Sequence, residues 1–226
     1  FGIVANQFLK LVFRVSRPWI KDPEFTIVEG ARAGATGYSF PSGHTQNAAA
    51  VLGCPARMAR KKGLKITLWV LYALVGISRM YLGVHTPYDV GVGVVMGLVL
   101  VFGLYPFFSE KNYKPQRMYV LLGVMLALSI AFTTYTRLYS FPADIEVDNL
   151  SHGIKNGYTL TGAVAGMLAA FWLDEHYVHF QTAGSLPAHI VKCVVGLGLL
   201  LGIKTVLKPP MNALFGGDPI ADAFRY

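Results

Sequence analysis

The chain has 226 residues, of which 54% are hydrophobic and only 14% charged, and its mean hydropathy is +0.46. A soluble domain carries about 25% charged residues, so this composition excludes both a disordered chain and a water-covered globule, and it predicts a helical protein embedded in a membrane. The formal charge of +8 is not laid along one solvated face with interleaved aromatics, which sets nucleic acid aside as a partner.

Apolar runs predict seven helical segments, at 1–16, 44–59, 64–83, 88–108, 118–137, 157–173 and 187–207. Crossing hydrocarbon takes about 20 mostly apolar residues, a length that 64–83, 88–108, 118–137 and 187–207 meet. Segment 1–16 carries Lys10 and Arg14 and reads as the end of a span that begins upstream. The chain opens on Phe1 without a signal-peptide cleavage pattern, so a longer parent protein is expected. Run 44–59 is weakly apolar, with Gln46, Asn47 and Pro55, and is expected inside the bundle. Cys54 and Cys193 lie in apolar runs and read as small buried hydrophobes outside any disulfide framework. Glycines recur at four-residue spacing (Gly93 with Gly97, Gly162 with Gly166, Gly198 with Gly202), which lets helices approach closely, although glycine is common in such helices anyway.

Basic loops set the expected orientation. The stretch 57–65 holds Arg57, Arg60, Lys61, Lys62 and Lys65 without an acid, and 109–117 holds Lys111, Lys114 and Arg117 against Glu110, so both are predicted cytoplasmic. Loops 19–43 and 138–156, acidic on balance, then lie outside. Loop 174–186 falls inside yet carries Asp174 and Glu175 and no basic residue.

Ionisable groups near hydrocarbon are costly, so they mark candidate functional sites. Three clusters stand at the outer ends of the first spans. In the first, Lys10 and Arg17 are seven residues apart, which on a helix gives one face, and Pro18 tends to end the helix there. Two such cations either hold a dianion or snorkel to lipid head groups. The second is Pro41-Ser42-Gly43-His44 ahead of a helical run: either an anion site with the Ser42 hydroxyl, free backbone N–H groups and His44 as a proton donor, or an ordinary turn and cap. The third runs from Ser78-Arg79 to His85 and Asp89. Arg79 offers a planar fork for phosphate oxygens. Asp89 either orients the His85 ring, as a carboxylate does in a catalytic triad, or caps a helix that begins Thr86-Pro87, and the roles are compatible.

In this order the clusters read K-x6-R-P, P-S-G-H and S-R-x5-H-x3-D, and they resemble the signature of the type 2 phosphatidic acid phosphatase family at every position from Lys10 to Asp89. The 22 residues between Pro18 and Pro41 and the 33 between His44 and Ser78 also suit the family. The resemblance implies an all-α, polytopic membrane bundle: a phosphatase core over 1–108, with its upstream helices missing, and additional transmembrane helices over 109–226. It implies that His85 attacks phosphorus to give a phosphohistidine, that Asp89 orients and charges the ring, and that His44 protonates the leaving oxygen and then activates water. Lys10, Arg17, Ser42, the Gly43 backbone and Arg79 would hold the phosphoryl oxygens.

No cofactor or metal is implied. The group Asp174-Glu175-His176-x-x-His179 is not H-E-x-x-H, and its neighbours Trp172, Tyr177 and Phe180 fit an interfacial aromatic belt. The expected substrate is a lipid phosphate or lipid (polyprenyl) diphosphate, hydrolysed among membrane lipids on the extracytoplasmic side of a plasma membrane. The family's soluble, vanadate-holding haloperoxidase branch does not suit the composition. Two other readings stay open: a phosphotransferase that passes the group to an alcohol, and a lipid or anion transporter without chemistry. The oligomeric state is open too.

Overall fold

The computed structural model describes residues 1–108, 113–143, 145–181, 183–216 and 218–225. Glu110 and Lys111 of the second basic loop, Asp144 and Tyr226 lie outside them. Among the described residues there are helices and no strands. In chain order these are α1 (Gly2–Phe13), α2 (Pro18–Lys21), α3 (Glu29–Arg32) and α4 (Gly43–Ala48), which continues through a π-helical turn at Ala49–Gly53 into α5 (Cys54–Met58). Then come α6 (Lys62–Tyr81), α7 (Pro87–Phe108), α8 (Pro115–Leu138), α9 (Val147–Leu173) with a π-helical turn at Asp174–Val178, α10 (Leu186–Phe215) and α11 (Ile220–Arg225). Helices α6, α7, α8 and α10 are long and apolar enough to cross a membrane, the four runs expected from length, and the protein is a multi-pass membrane protein.

The chain divides into two compact units, Phe1–Arg117 with Ser140–Gly153, and Met118–Tyr139 with Ile154–Tyr226. In the first unit α4 lies at the centre, packed by α1, α6 and α7. Its apolar floor is Ala49, Tyr72 and Val101, with Trp69, Val94 and Leu98 against them. Small residues permit that packing. A Cβ at Gly93 would come within 2.7 Å of the Ser42 carbonyl, and one at Gly97 within 2.6 Å of Ala49 Cβ. The Gly93–Gly97 spacing is therefore a true close approach of α7 to α4.

In the second unit Gly157 lies against Thr133, whose hydroxyl meets that of Thr161 at 3.0 Å. Gly162 lies against Ala223, whereas Gly198 and Gly202 on α10 face open space. Cys193, expected buried, is exposed on α10, a helix with no buried residue among those described. Asp174 Oδ1 accepts from the Phe180 N–H at 2.8 Å, and His176 bonds the Trp172 carbonyl and stacks on its ring, so both serve the helix end.

Two local expectations are corrected. Helix α9 starts at Val147, ten residues ahead of the apolar run at 157, because its first turns are polar and carry no hydropathy signal. Helix α1 stops at Phe13, with Arg14 in the left-handed region (φ 49°) and Arg17 extended before Pro18. Lys10 and Arg17 thus do not share a helix face; Arg17 arrives from the extended segment that its following proline favours.

Gly93→Ala is expected to destabilise the protein by about 1–3 kcal/mol through overpacking. Gly198→Ala should leave the melting temperature unchanged or slightly raised, and thermal unfolding in detergent compares the two.

Candidate active site

Among the described residues, the buried polar side chains gather in the first unit: Asn6, Lys10, Arg17, Ser39, Ser42, Thr45, Gln46, His85 and Asp89, with Ser129 and Thr136 of α8 apart. Buried polar groups need partners, and here the partners stitch the three sequence clusters together. The Ser39 N–H donates to the Val15 carbonyl at 2.7 Å, joining the first cluster to the second. The Ser42 N–H donates to the Asp89 carbonyl at 2.9 Å, joining the second to the third. The Arg17 Nη1 donates to the Val84 carbonyl at 2.7 Å, joining the first to the third.

Each helix end supplies chemistry through its own capping. Ser42 is the N-cap of α4; it accepts the Thr45 N–H, and its hydroxyl meets that of Thr45 at 2.9 Å. Gly43 is the first residue of that helix, and His44 next to it is exposed. Thr86 and Asp89 form a reciprocal box at the start of α7, with Thr86 N to Asp89 Oδ2 at 2.7 Å and Asp89 N to Thr86 Oγ1 at 3.3 Å. The turn before it needs Gly83, whose φ is +73° and whose Cβ would lie 2.7 Å from the Thr26 carbonyl.

Arg17 is 4% exposed. Its Nε donates to the Gly37 carbonyl at 2.9 Å, and its Nη2 to the Thr36 carbonyl at 2.8 Å. Its Nη1 also meets His85 Nε2 at 3.1 Å. Guanidinium has no acceptor, so Nε2 accepts, and the neutral His85 ring carries its proton on Nδ1. That Nδ1 faces Ser39 Oγ at 3.5 Å and Asp89 Oδ2 at 3.6 Å. Burial pushes His85 well below the ordinary histidine range, to about 4; Asp89 opposes the shift, while Arg17 and Lys10 add to it. The neutral imidazole keeps its lone pair on Nε2, and here that pair accepts the Arg17 N–H.

The remaining cations differ in how far they are engaged. The Lys10 ammonium donates to the Tyr38 carbonyl. Arg79 at the end of α6 is half-buried and, among the described residues, its one hydrogen bond is to its neighbour Ser78 at 3.5 Å, which leaves its two Nη groups facing no described acceptor. Arg79, Arg17 and Lys10 all lie within electrostatic reach of His44. The structure thus brings all eight predicted residues to one end of the first unit. Sequence reading missed several others. Ser39 donates to Asp89 Oδ2 at 2.6 Å, and Asn6 Nδ2 holds the Pro41 carbonyl at 3.2 Å. Glu146, bonded to Ser16 at 2.7 Å, acts electrostatically on Arg17. Asn6 was legible in principle, one helical turn before Lys10. Thr45 stands at the third position of a capped helix. Ser39 and Glu146 carry no such local signal.

The PAP2 superfamily sequence model matches residues 1–113, and that of the PAP2 superfamily phosphatase transmembrane extension matches 158–226. Phosphatidylglycerophosphatase B of Bacillus subtilis is 38% identical over 113 residues, covering 45% of this chain and 53% of that protein. Undecaprenyl-diphosphatase BcrC of Bacillus subtilis is 31% identical over 106 residues, covering 47% and 52%. Human sphingosine-1-phosphate phosphatase 2 is 24% identical over 212 residues, covering 91% of this chain and 48% of its own length. The chain spans about half the length of these curated relatives. No solved structure matches it.

The charges around His85 have a measurable consequence. Removing the Arg17 charge makes imidazolium less unfavourable and raises the ring's pKa. In ring-labelled NMR titrations, assigned against His85→Ala, the wild-type ring should stay neutral down to about pH 4. The midpoint should move upward in Arg17→Gln.

Proposed function

Because this chain belongs to the PAP2 superfamily, we propose that it is a membrane-embedded hydrolase of a lipid phosphate or lipid diphosphate, acting through a phosphohistidine and without a metal. The observation that carries this reading is His85: buried, neutral, its Nε2 held as an acceptor by Arg17, a group suited to give way to a phosphoryl group, and its Nδ1 turned toward Ser39 and Asp89. Simple anion binding does not need that arrangement.

In the proposed reaction His85 Nε2 forms a bond to phosphorus while the bond from phosphorus to the lipid oxygen breaks. The electron pair leaves on that oxygen, which takes a proton from His44. Water then attacks phosphorus, His44 accepts its proton, and the pair of the phosphorus–nitrogen bond returns to Nε2. The protein's work is positioning and neutralising the equatorial oxygens. Arg79 supplies its open fork, Ser42 its hydroxyl and Gly43 its backbone N–H. Lys10 and Arg17 supply positive charge and the N–H groups left over from their carbonyl partners.

The expected orientation has support of its own. The basic stretch from Arg57 to Lys65 lies at one end of α6 and Arg79 at the other. Twenty residues of helix rise about 30 Å, one hydrocarbon thickness. With the basic end cytoplasmic, the cradle opens in the outer head-group layer, where a lipid phosphate lies with its tail among the helices.

The test is phosphate release by the detergent-purified full chain with EDTA present. The panel comprises phosphatidate, phosphatidylglycerophosphate, a sphingoid-base phosphate and a polyprenyl diphosphate. Release should persist in chelator and vanish in His85→Ala, and Asp89→Asn should lower it by about a hundredfold or more. Wild-type activity in His85→Ala would overturn the assignment of the nucleophile. No release from any substrate by folded protein would overturn the hydrolase reading, and an added alcohol acceptor would then test transfer.

A further inference from the structure

Helix α1 meets α4 along a stripe of residues spaced one helical turn apart. Gly2 lies against the Gln46 side chain, Asn6 lies against Gly43, and Lys10 donates to the Tyr38 carbonyl ahead of α4. Asn6 is 2% exposed, and its Nδ2 donates to the Pro41 carbonyl at 3.2 Å. A carbonyl only accepts, so the amide is fixed with Nδ2 on Pro41 and Oδ1 turned to Gly43. Oδ1 is buried with no hydrogen-bond partner among the described residues. An apolar side chain of the same size would fill the space without stranding that oxygen, so packing alone does not account for the amide.

What the amide holds is one peptide plane. The Pro41 carbonyl and the Ser42 N–H belong to the same planar unit and point in opposite directions. Asn6 on α1 grips the carbonyl, and the Asp89 carbonyl on α7 accepts the N–H at 2.9 Å. Gripped at both ends by different helices, the plane cannot turn about its Cα–Cα axis. It leads directly into Ser42, the N-cap of α4, and so sets where the Ser42 hydroxyl and the Gly43 N–H point. Pro41 and Ser42 are fully buried, which leaves water no access to stand in for Asn6. Gly43 fits the same account. Its backbone is helical, so glycine is not needed there for its conformational freedom. A Cβ at that position would meet Asn6 Oδ1 at 3.3 Å, and its three nearest atoms all belong to Asn6.

We propose that Asn6 is a positioning residue: by holding the Pro41 carbonyl it aims the Ser42 hydroxyl and the Gly43 N–H at the phosphoryl group. The inference rests on the hydrolase reading and adds a residue to it. Negative charge is carried by the equatorial oxygens as the phosphoryl group transfers, so donors aimed off line lose most in the transition state. Asn6 itself makes and breaks no bond.

The experiment uses the full chain and the best substrate of the panel, with orthovanadate as a five-coordinate analogue of the transferring phosphoryl group, in chelator-free buffer. Asn6→Leu and Asn6→Ala should each lower kcat by about tenfold, the rate equivalent of one hydrogen bond, with KM changed by about twofold or less. The vanadate inhibition constant should rise by the factor by which kcat/KM falls, because both report fit to the transition state. A merely structural defect lowers the active fraction, and with it kcat, but leaves that constant where it was. Gly43→Ala should also lower kcat, since its methyl pushes the Asn6 amide off Pro41. In the Asn6→Ala background it should add about twofold or less. Unchanged kcat in both Asn6 variants overturns the proposal. So does a loss of kcat with an unchanged vanadate constant, or a full multiplicative loss in the double variant. A wild type that binds vanadate but releases no phosphate fails the hydrolase reading instead. Vanadate affinity, compared between folded wild type and Asn6→Leu by vanadium NMR, then decides the proposal: weaker binding supports it and equal binding sinks it. A wild type that does neither overturns both.

Discussion

A permanently charged guanidinium buried at the end of a hydrophobic helix pack must be satisfied by the protein, and Arg17 is satisfied by two separate segments, Thr36–Gly37 and Val84–His85. Four of its five N–H groups go to the carbonyls of Thr36, Gly37 and Val84 and to His85 Nε2. Leaving any of these unmade would strand a buried charge. Placing Arg17 therefore places the loop at 36–38, the turn before α7 and the imidazole together. The extended backbone at Arg17, ahead of Pro18, makes that reach available where a continued α1 would not.

The site is assembled from helix ends, and its residues do structural and proposed chemical work at once. Ser42 caps α4 and presents a hydroxyl beside the free N–H groups of that helix. Asp89 caps α7 and binds Ser39 through the same oxygen. The alternatives of cap and functional group, open in the sequence, coexist in one geometry. That economy follows from the setting. Inside an apolar pack every polar atom is costly, so a group that completes a cap and faces the ring together satisfies two needs with one desolvation. Among the described residues Asn6 Oδ1, Gln46 Oε1 and Tyr119 Oη are the exceptions, buried without a hydrogen-bond partner.

Much of this was legible in the residues. The four spanning helices followed from length and hydropathy, because a membrane makes apolar length itself the signal. The Thr86–Asp89 box followed from a local three-residue relation. Gly93 and Gly97 both serve a close helix approach and Gly162 lies against Ala223 of α11, while Gly198 and Gly202 face open space. Spacing alone does not say what lies opposite. The start of α9 was illegible because a polar first turn looks like a loop, and the end of α1 because a heptad coincidence between Lys10 and Arg17 imitates a shared face.

The sequence by itself determined the membrane class, the spans, the order and spacing of the three clusters, and the caps that begin α4 and α7. These are relations between residues within a helical turn or properties of whole segments, and local geometry suffices for them. Only the tertiary structure decided that Arg17 meets His85 across 68 positions and Ser39 meets Asp89 across 50. Such pairs exist only once α7 lies close against α4, at a distance set by the missing side chain of Gly93, and no local pattern encodes which buried donor will find which acceptor.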